Sequence, residues 1–513
     1  MTAATEPQIK DAPVASFKDP RALALSRVGV VDVGSNSVRL VVFDGAARSP
    51  AYYYNEKLMC GLGAGVRESG ILNPKGRARA LQAIKRFQCI ARSLGIEPLS
   101  AVATAAVREA TDGEDFRREV EETTGLNLRV IDGPEEARLS AQGVLLGWPG
   151  SNGLVCDIGG SSMELATITD GKIGTCLTSQ LGPLRLKGIK GGKKATSSYI
   201  KEVVSDLSEK IGSKPERLFL VGGSWRAIAR IDMLRRGYPL HVLHEYRMST
   251  KNARSTIKFI RNTPVDELQA LSGNSAARMA LVPLAAEVLS RLIKKFKPDN
   301  IAVSSYGIRE GLLYEKMPDH LRQMDPLIEA CRFSEAKDAR LVGFGDVLYD
   351  FVMPLFKSGP ERWHRIIHAA CLLHDVSWRA HPDYRAEACF DNITRANLGG
   401  LRHSERVFLG LSLLHRYKNK REGNRFENLA RLLSENDLHM AEVLGKAMRF
   451  GAMMWLQSDD KPGKFKWHPR KKVLELHLAD SARPLFGEVA NARLQSLAQA
   501  LEAEVVIKRL KSS

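Results

Sequence analysis

One pattern occurs twice in this chain. The segment Val30-Val31-Asp32-Val33-Gly34-Ser35-Asn36-Ser37-Val38-Arg39-Leu40 returns as Leu154-Val155-Cys156-Asp157-Ile158-Gly159-Gly160-Ser161-Ser162-Met163-Glu164-Leu165, at an offset of 125 residues. Each copy is an apolar run ending in Asp, a turn of small polar residues, and a second apolar run. That order predicts a β-hairpin. An Asp-Gly pair, Asp44-Gly45 or Asp170-Gly171, follows each copy as a further turn signal. A turn centred between Gly160 and Ser161 sets Asp157 opposite Glu164 on one face, and the same register sets Asp32 opposite Arg39.

Around each hairpin, helical and strand-like stretches alternate. Gly76 to Leu94, Asp115 to Thr124 and Pro134 to Leu145 read as helices, with strands at Leu99 to Ala105 and Leu128 to Ile131. The second half repeats the scheme with helices at Ser197 to Ile211, Trp225 to Arg235 and Arg309 to Lys316. Its strands are expected at Arg217 to Val221 and Ile301 to Ser304. This is a duplicated α/β organisation. From Asp325 onward amphipathic helices dominate (Arg362 to Leu373, Glu405 to Leu414, Asn428 to Leu433), and the region reads as all-α until a short alternating segment at Val473 to Leu478. At about 150 residues per domain, 513 residues suit roughly three. The expected division is a tail at 1–27, α/β domains at 28–148 and 149–324, and a helical domain at 325–513.

Lys+Arg 76 against Asp+Glu 58 leaves a net charge of +18, which points to an anionic partner. No apolar run is long enough for a membrane helix, and the start carries no secretory h-region. Seven scattered cysteines without a CxxC pair read as reduced thiols, and the expected location is the cytoplasm. The cation-rich stretches are Lys187, Lys190, Lys193 and Lys194 in a Gly-rich loop, and Lys464 to Lys472, where Phe465 and Trp467 interleave with cations. The second suits a single-stranded nucleic acid, a polyphosphate chain or a solvated hairpin. No helix-turn-helix, zinc-finger or RNP signature supports nucleic acid.

Two turns of small residues offer backbone N–H groups to phosphate oxygens. The carboxylates beside them suit Mg²⁺, a hard ion that uses one or two carboxylates with water and substrate phosphates. With these features on the table, the chain resembles the exopolyphosphatase / guanosine pentaphosphate phosphohydrolase (Ppx/GppA) family. The resemblance rests on Asp32 to Leu40 together with Ala103-Thr104-Ala105-Ala106-Val107-Arg108, Gly133-Pro134-Glu135-Glu136-Ala137-Arg138, Asp157 to Glu164 and Tyr306-Gly307-Ile308-Arg309-Glu310-Gly311. One departure is Ser161, where the family usually has a third Gly.

The resemblance implies duplicated actin/sugar kinase/Hsp70-like (ribonuclease H-like) domains followed by an HD-like helical domain. It implies Glu136 as catalytic base, with Glu135 a non-catalytic neighbour. Gly133-Pro134 looks like an N-cap and first-position pair, which puts Glu136 in the first helical turn. Asp32, Asp157 and Glu164 are the expected Mg²⁺ ligands. Ser35, Asn36, Ser37, Gly159, Gly160, Ser161 and Ser162 are expected around phosphate oxygens, with Arg39 and Arg108 spreading charge over the terminal phosphoryl group. Gly222-Gly223 resembles the adenosine loop of the wider fold, and its other reading is close helix–strand packing.

The expected activity is release of terminal phosphate from inorganic polyphosphate. The alternative is hydrolysis of guanosine pentaphosphate (pppGpp) on the same frame, and the resemblance implies a homodimer. An ATP-dependent kinase is disfavoured because the Glu-Glu-Ala-Arg segment suits water as acceptor. A non-catalytic polyphosphate or nucleotide sensor would lack some of the four carboxylates, and all are present. His374-Asp375, with His364, His368 and His415, resembles an HD motif. An earlier His is missing from the preceding helix, so this domain is expected to be structural, channel-forming or dimer-forming.

Overall fold

The first hairpin forms in the expected register. β1 (Val28–Val33) pairs antiparallel with β2 (Ser37–Phe43), Asp32 opposite Arg39. The chain continues through β3 (Tyr52–Met59), α1 (Pro74–Leu94), β4 (Ser100–Ala103), α2 (Gly113–Thr124), β5 (Leu128–Val130) and α3 (Gly133–Gly147). The five strands make one sheet in the order β3-β2-β1-β4-β5. In this computed structural model the described residues are 27–44, 48, 50–96, 98–212, 214–357, 359–420, 424–454 and 462–509. The expected tail therefore lies outside the described residues except for Arg27, as does Gly45 of the first Asp-Gly turn.

The second copy repeats the plan. β6 (Gly153–Ile158), β7 (Met163–Thr169), β8 (Lys172–Ser179), α4 (Gly192–Ile211), β9 (Arg217–Val221), α5 (Gly223–Arg235), β10 (Arg247–Ser249), α6 (Thr250–Asn262), α7 (Val282–Phe296), β11 (Asn300–Val303) and α8 (Ile308–Lys316) follow in order. Asp157 stands opposite Glu164. The sheet order is β10-β11-β9-β6-β7-β8, so β8-β7-β6-β9-β11 reproduces β3-β2-β1-β4-β5 and β10 is an added edge. The duplication is topological as well as sequential.

Buried central strands read as unbroken apolar runs because both faces are covered. Val31, Val33 and Leu40 pack with Phe87 and Phe116 on one face of the first sheet, and Val30, Val41 and Phe43 pack with Leu139, Leu146 and Tyr306 on the other. Helix α3 belongs to two cores at once. Leu139 and Leu146 face the first sheet, while Ala137, Ala141 and Leu145 pack with Val155 and Phe219 of the second. A helix apolar nearly all round must be buried, and this one carries Glu136 between the sheets.

Several element boundaries differ from expectation. The edge strands β3 and β8 were not expected; they are half-polar and exposed, so they lack the apolar run that marks a central strand. The strand expected to Ala105 ends at Ala103, and Ala105–Glu109 is helical. Lys187 closes a short helix and Lys193 and Lys194 open α4, so only Lys190 of the four lies in a loop.

Among the described residues the chain divides into two units. One runs to Leu327 and takes in Asn397–His403, and the other comprises Ile328–Ala396 with Ser404 onward. Helices in the C-terminal part of the chain include α9 (Phe344–Val352), α10 (His364–Leu373), α11 (Arg385–Arg395), α12 (Glu435–Gly451) and α13 (Glu488–Ala500). This part is not all-α. β12 (Gly463–His468), β13 (Val473–Leu478) and β14 (Glu504–Arg509) form a sheet with β13 in the middle. The Lys464 to Lys472 stretch is the β12–β13 hairpin, its Phe465 buried and its lysines outward, so alternation was there but masked by charge. The helix expected at Asn428 to Leu433 is displaced to Asn424–Ala430. Among the described residues no disulfide forms, and no helix is long and apolar enough to cross a membrane.

Candidate active site

Asp132 starts α3. Its carboxylate accepts the Glu135 N–H at 2.8 Å, and Pro134 sits in the first turn. The cap expected at Gly133 falls one residue earlier because Asp offers an acceptor oxygen and glycine has none. Glu136 remains in the first turn, its side chain 9% exposed, with Arg108 Nη1 3.6 Å from Oε2. Arg108 is held there by donating to the Ile131 carbonyl at 2.6 Å. Burial, with Asp157 and Asp32 adding to it and Arg108 opposing, pushes Glu136 up to about 8.

The other carboxylates surround it. Glu164 is 1% exposed, and its Oε1 accepts from Thr178, its cross-strand partner, at 3.1 Å. Burial, then Glu136 and Asp157, raise Glu164 well above the ordinary carboxylate range. Asp157 Oδ2 accepts from Ser140, one turn beyond Glu136 on α3. Asp32 lies 3.8 Å from Arg309 Nη1. Both aspartates are raised by burial, against the pull of arginines. Arg39 donates to Asn55 at 2.7 Å, and burial lowers its pKa.

The turns close alike, with Gly34 N–H donating to Ser37 and Gly159 N–H to Ser162, each at 3.0 Å. Carbonyls of the first turn are committed: Ser35 accepts from Gly63, and Asn36 from Cys60 and Gly61. In the second, Gly160 accepts from Leu184 and Ser161 from Gly182. What remains for a ligand is N–H groups and hydroxyls. Gly222 is pressed against the second hairpin at φ +112°, where a Cβ would stand 2.5 Å from the Ile158 carbonyl and 3.2 Å from Asp157 Oδ1. Only glycine tolerates that position. Gly223 is less crowded; a Cβ there would lie 3.5 Å from Arg278.

The structure thus brings Glu136 within electrostatic reach of Asp32, Asp157 and Glu164, with Arg39, Arg108, Arg226 and Arg309 each acting on one or more of these carboxylates. Glu136 Oε2 and Glu164 Oε2 are buried with no hydrogen-bond partner among the described residues. Such oxygens, hard donors without a hydrogen bond, fit Mg²⁺. No group of three or more potential ligands is already gathered into metal-holding geometry among the described residues. The donor set therefore suits an ion held by one or two carboxylates with phosphate and water, and not a preformed three-carboxylate cage.

Arg309 carried no expected role although it lies in a quoted motif. Ser140 could have been found from its spacing, four residues after Glu136 on one helix face. Arg226 had no sequence signal. Glu135 faces elsewhere: it pairs with Arg138 at 2.7 Å and lines an open depression of about 470 Å³ with Arg129, Asp132 and Pro134.

In the C-terminal part, His374 Nδ1 bonds the Cys371 carbonyl at 2.8 Å, and burial pushes this histidine down to about 4. Asp375 accepts from Arg340 through Nε at 2.9 Å and Nη2 at 2.5 Å. His368 pairs with Asp346 at 2.6 Å. The guanidinium of Arg340 covers both oxygens of the aspartate that an HD site would turn toward a metal.

The clustered carboxylates have a consequence for stability. All four are raised, so the folded protein keeps protons that the unfolded chain releases above the ordinary carboxylate range. Their contribution is complete below that range and is lost as pH climbs toward about 8, the value for Glu136. In chelator the Tm is expected to be higher at about pH 5 than at about pH 8. Differential scanning fluorimetry across that window checks it, and Glu136→Gln should flatten the slope.

Residues 41–320 match the model of the Ppx/GppA phosphatase family, and residues 357–506 match that of the exopolyphosphatase C-terminal domain. Exopolyphosphatase 1 of Mycobacterium tuberculosis is 29% identical over 307 residues, covering 57% of this chain and 88% of that protein. The guanosine-5'-triphosphate,3'-diphosphate pyrophosphatase of Aliivibrio fischeri is 24% identical over 406 residues, covering 76% and 80%. The crystal structure of an exopolyphosphatase from Cytophaga hutchinsonii superposes with a TM-score of 0.52 at 25% identity, over 57% of this chain and 98% of that one. With more than half of its length matched by the first model, and with the two phosphate-type turns converging on buried carboxylates, the chain belongs to the Ppx/GppA phosphatase family and is a phosphoanhydride hydrolase.

Proposed function

We propose that the protein is an exopolyphosphatase that removes the terminal orthophosphate of inorganic polyphosphate. The observation that carries the reading is Glu136, a buried carboxylate whose Oε2 makes no hydrogen bond among the described residues and meets Arg108 at 3.6 Å, set between two turns built to receive phosphate. Water attacks the terminal phosphorus, its oxygen bonds to that phosphorus, and the bridging P–O bond breaks. Glu136 takes the water proton, the shortened chain departs with the bridging oxygen, and orthophosphate is released. Ser35, Asn36, Ser37, Gly159, Gly160, Ser161 and Ser162 hold the phosphate oxygens, and Gly222 and Gly223 let the chain approach closely. Arg39 and Arg108 offset the terminal phosphoryl charge. Asp32, Asp157 and Glu164 are the carboxylates from which one or two would hold Mg²⁺, with water and phosphate oxygens completing its shell. Bound there, the ion supplies positive charge against the carboxylates and phosphate oxygens.

The match of the C-terminal region to an exopolyphosphatase domain supports polyphosphate over a nucleotide. A second reading, hydrolysis of pppGpp, is favoured by the longer alignment with the pyrophosphatase relative, 76% of this chain against 57%. We assign the protein to the cytoplasm as a homodimer, with domain limits as read from the sequence, and the HD-like helical domain to a non-catalytic role, because Arg340 engages Asp375. The test is orthophosphate release from long-chain polyphosphate and from pppGpp, with Mg²⁺ and with chelator. Faster release from polyphosphate, abolished by chelator, is expected. Faster release from pppGpp would select the second reading, and binding without turnover would make the protein a sensor.

A further inference from the structure

Tyr52 and Glu310 have no part in the scheme above, yet they sit directly behind it. Glu310 is fully buried, and both its oxygens are used: Oε2 accepts the Gly307 N–H at 2.7 Å and Oε1 accepts the Tyr52 hydroxyl at 2.6 Å. The first bond closes the N-terminal turn of α8 on itself. The second ties that turn to β3, the edge strand of the first sheet.

The turn held in this way touches both hairpin aspartates. A Cβ at Gly307 would stand 2.9 Å from Val221 and 3.8 Å from Asp157 Oδ2, so the backbone here runs close to that carboxylate. Two residues on, Arg309 extends to Asp32 at 3.8 Å. Arg309 Nε is buried with no hydrogen-bond partner among the described residues, so the guanidinium is not locked by other bonds. Burial disfavours its charge most, and Glu310 and Asp32, with Tyr52 and Asp157 after them, favour it enough to raise its pKa. A buried Glu310 oxygen left without a donor would incur a desolvation penalty and would attract the nearest cation. The Tyr52 hydroxyl removes that competition.

We propose that Tyr52, acting through Glu310, keeps Arg309 on Asp32 and so fixes the two aspartates relative to one another, which makes Tyr52 and Glu310 positioning residues for phosphate release. The inference rests on the hydrolase reading. The Tyr52 ring packs on Phe43 at 5.7 Å, and that contact survives loss of the hydroxyl.

Tyr52→Phe therefore deletes one hydrogen bond and little else. With the better of polyphosphate and pppGpp as substrate, its kcat is expected to fall about tenfold while KM stays within about twofold. Glu310→Gln should fall at least as far. The double variant should be no slower than Glu310→Gln alone, since both act on one guanidinium. A purely structural role would lower Tm and leave kcat per folded molecule unchanged. Tyr52→Phe with wild-type kcat, or a double variant showing the product of the two single effects, overturns the proposal. If Glu310→Gln does not fold, Tyr52→Phe decides alone. A wild-type protein that releases phosphate from neither substrate overturns the hydrolase reading and this one together. An active wild type with an unaffected Tyr52→Phe overturns only this one.

Discussion

Glu136→Gln is expected to slow orthophosphate release by about a thousandfold, in the range that a positioned general base contributes. The amide has nearly the shape of the carboxyl and can still bond Arg108 weakly, so fold and substrate affinity should persist. What disappears is the acceptor for the water proton. The pH profile carries a second signature. In the free protein Glu136 is held up to about 8, so wild-type kcat/KM should rise with pH as this group ionises, and the residual activity of the variant should lack that limb. Phosphate release by the variant within about tenfold of wild type would remove Glu136 from its role.

Gly311→Val is expected to disable the protein by a different route. A Cβ at Gly311 would lie 1.9 Å from the Leu139 carbonyl, and one at Gly143 would lie 2.2 Å from the Gly307 carbonyl. Helices α3 and α8 therefore cross backbone against backbone, each supplying a glycine to the other. No side-chain rotation relieves a clash with main chain, so the helices must separate. A loss of about 3 kcal/mol of stability is expected, at the upper end of overpacking effects. Activity should be lost even at temperatures where the variant stays folded, because α3 carries Glu136 and Ser140 and α8 carries Arg309. Thermal unfolding paired with an assay at low temperature checks both, and a variant with wild-type Tm would contradict the crossing.

The centre of this fold was legible because its signals are local. An Asp, a small-residue turn and a second apolar run specify a hairpin whatever lies around it, and both registers followed from the turn alone. The edge strands β3 and β8 were not legible, since an exposed strand needs no apolar run. Of the sheet β12–β13–β14 only the alternating Val473 to Leu478 stood out, as β13; its pairing with β14 joins segments separated by α13, a non-local contact that alternation does not announce. Within the site, the carboxylates stood out through their motifs. Arg226 did not, because an arginine one turn into a helix is ordinary until the fold sets it beside Asp157 and Arg309. The Tyr52–Glu310 bond joins residues 258 positions apart. Only three-dimensional proximity reveals it.

The two hairpins are equivalent in topology but not in charge. Each hairpin pairs six rows, and the only charged one sets Asp32 against Arg39 in the first and Asp157 against Glu164 in the second. Two identical halves would enclose a cleft with twofold symmetry, and a linear polyanion would enter it equally well in either sense. Exchanging a guanidinium for a carboxylate at matching positions leaves the first row formally neutral and the second doubly acidic. On the proposed polyphosphate reading, a phosphate chain meets two unlike sides and enters in one sense. One charge exchanged between hairpins of the same topology is what makes the two sides unlike.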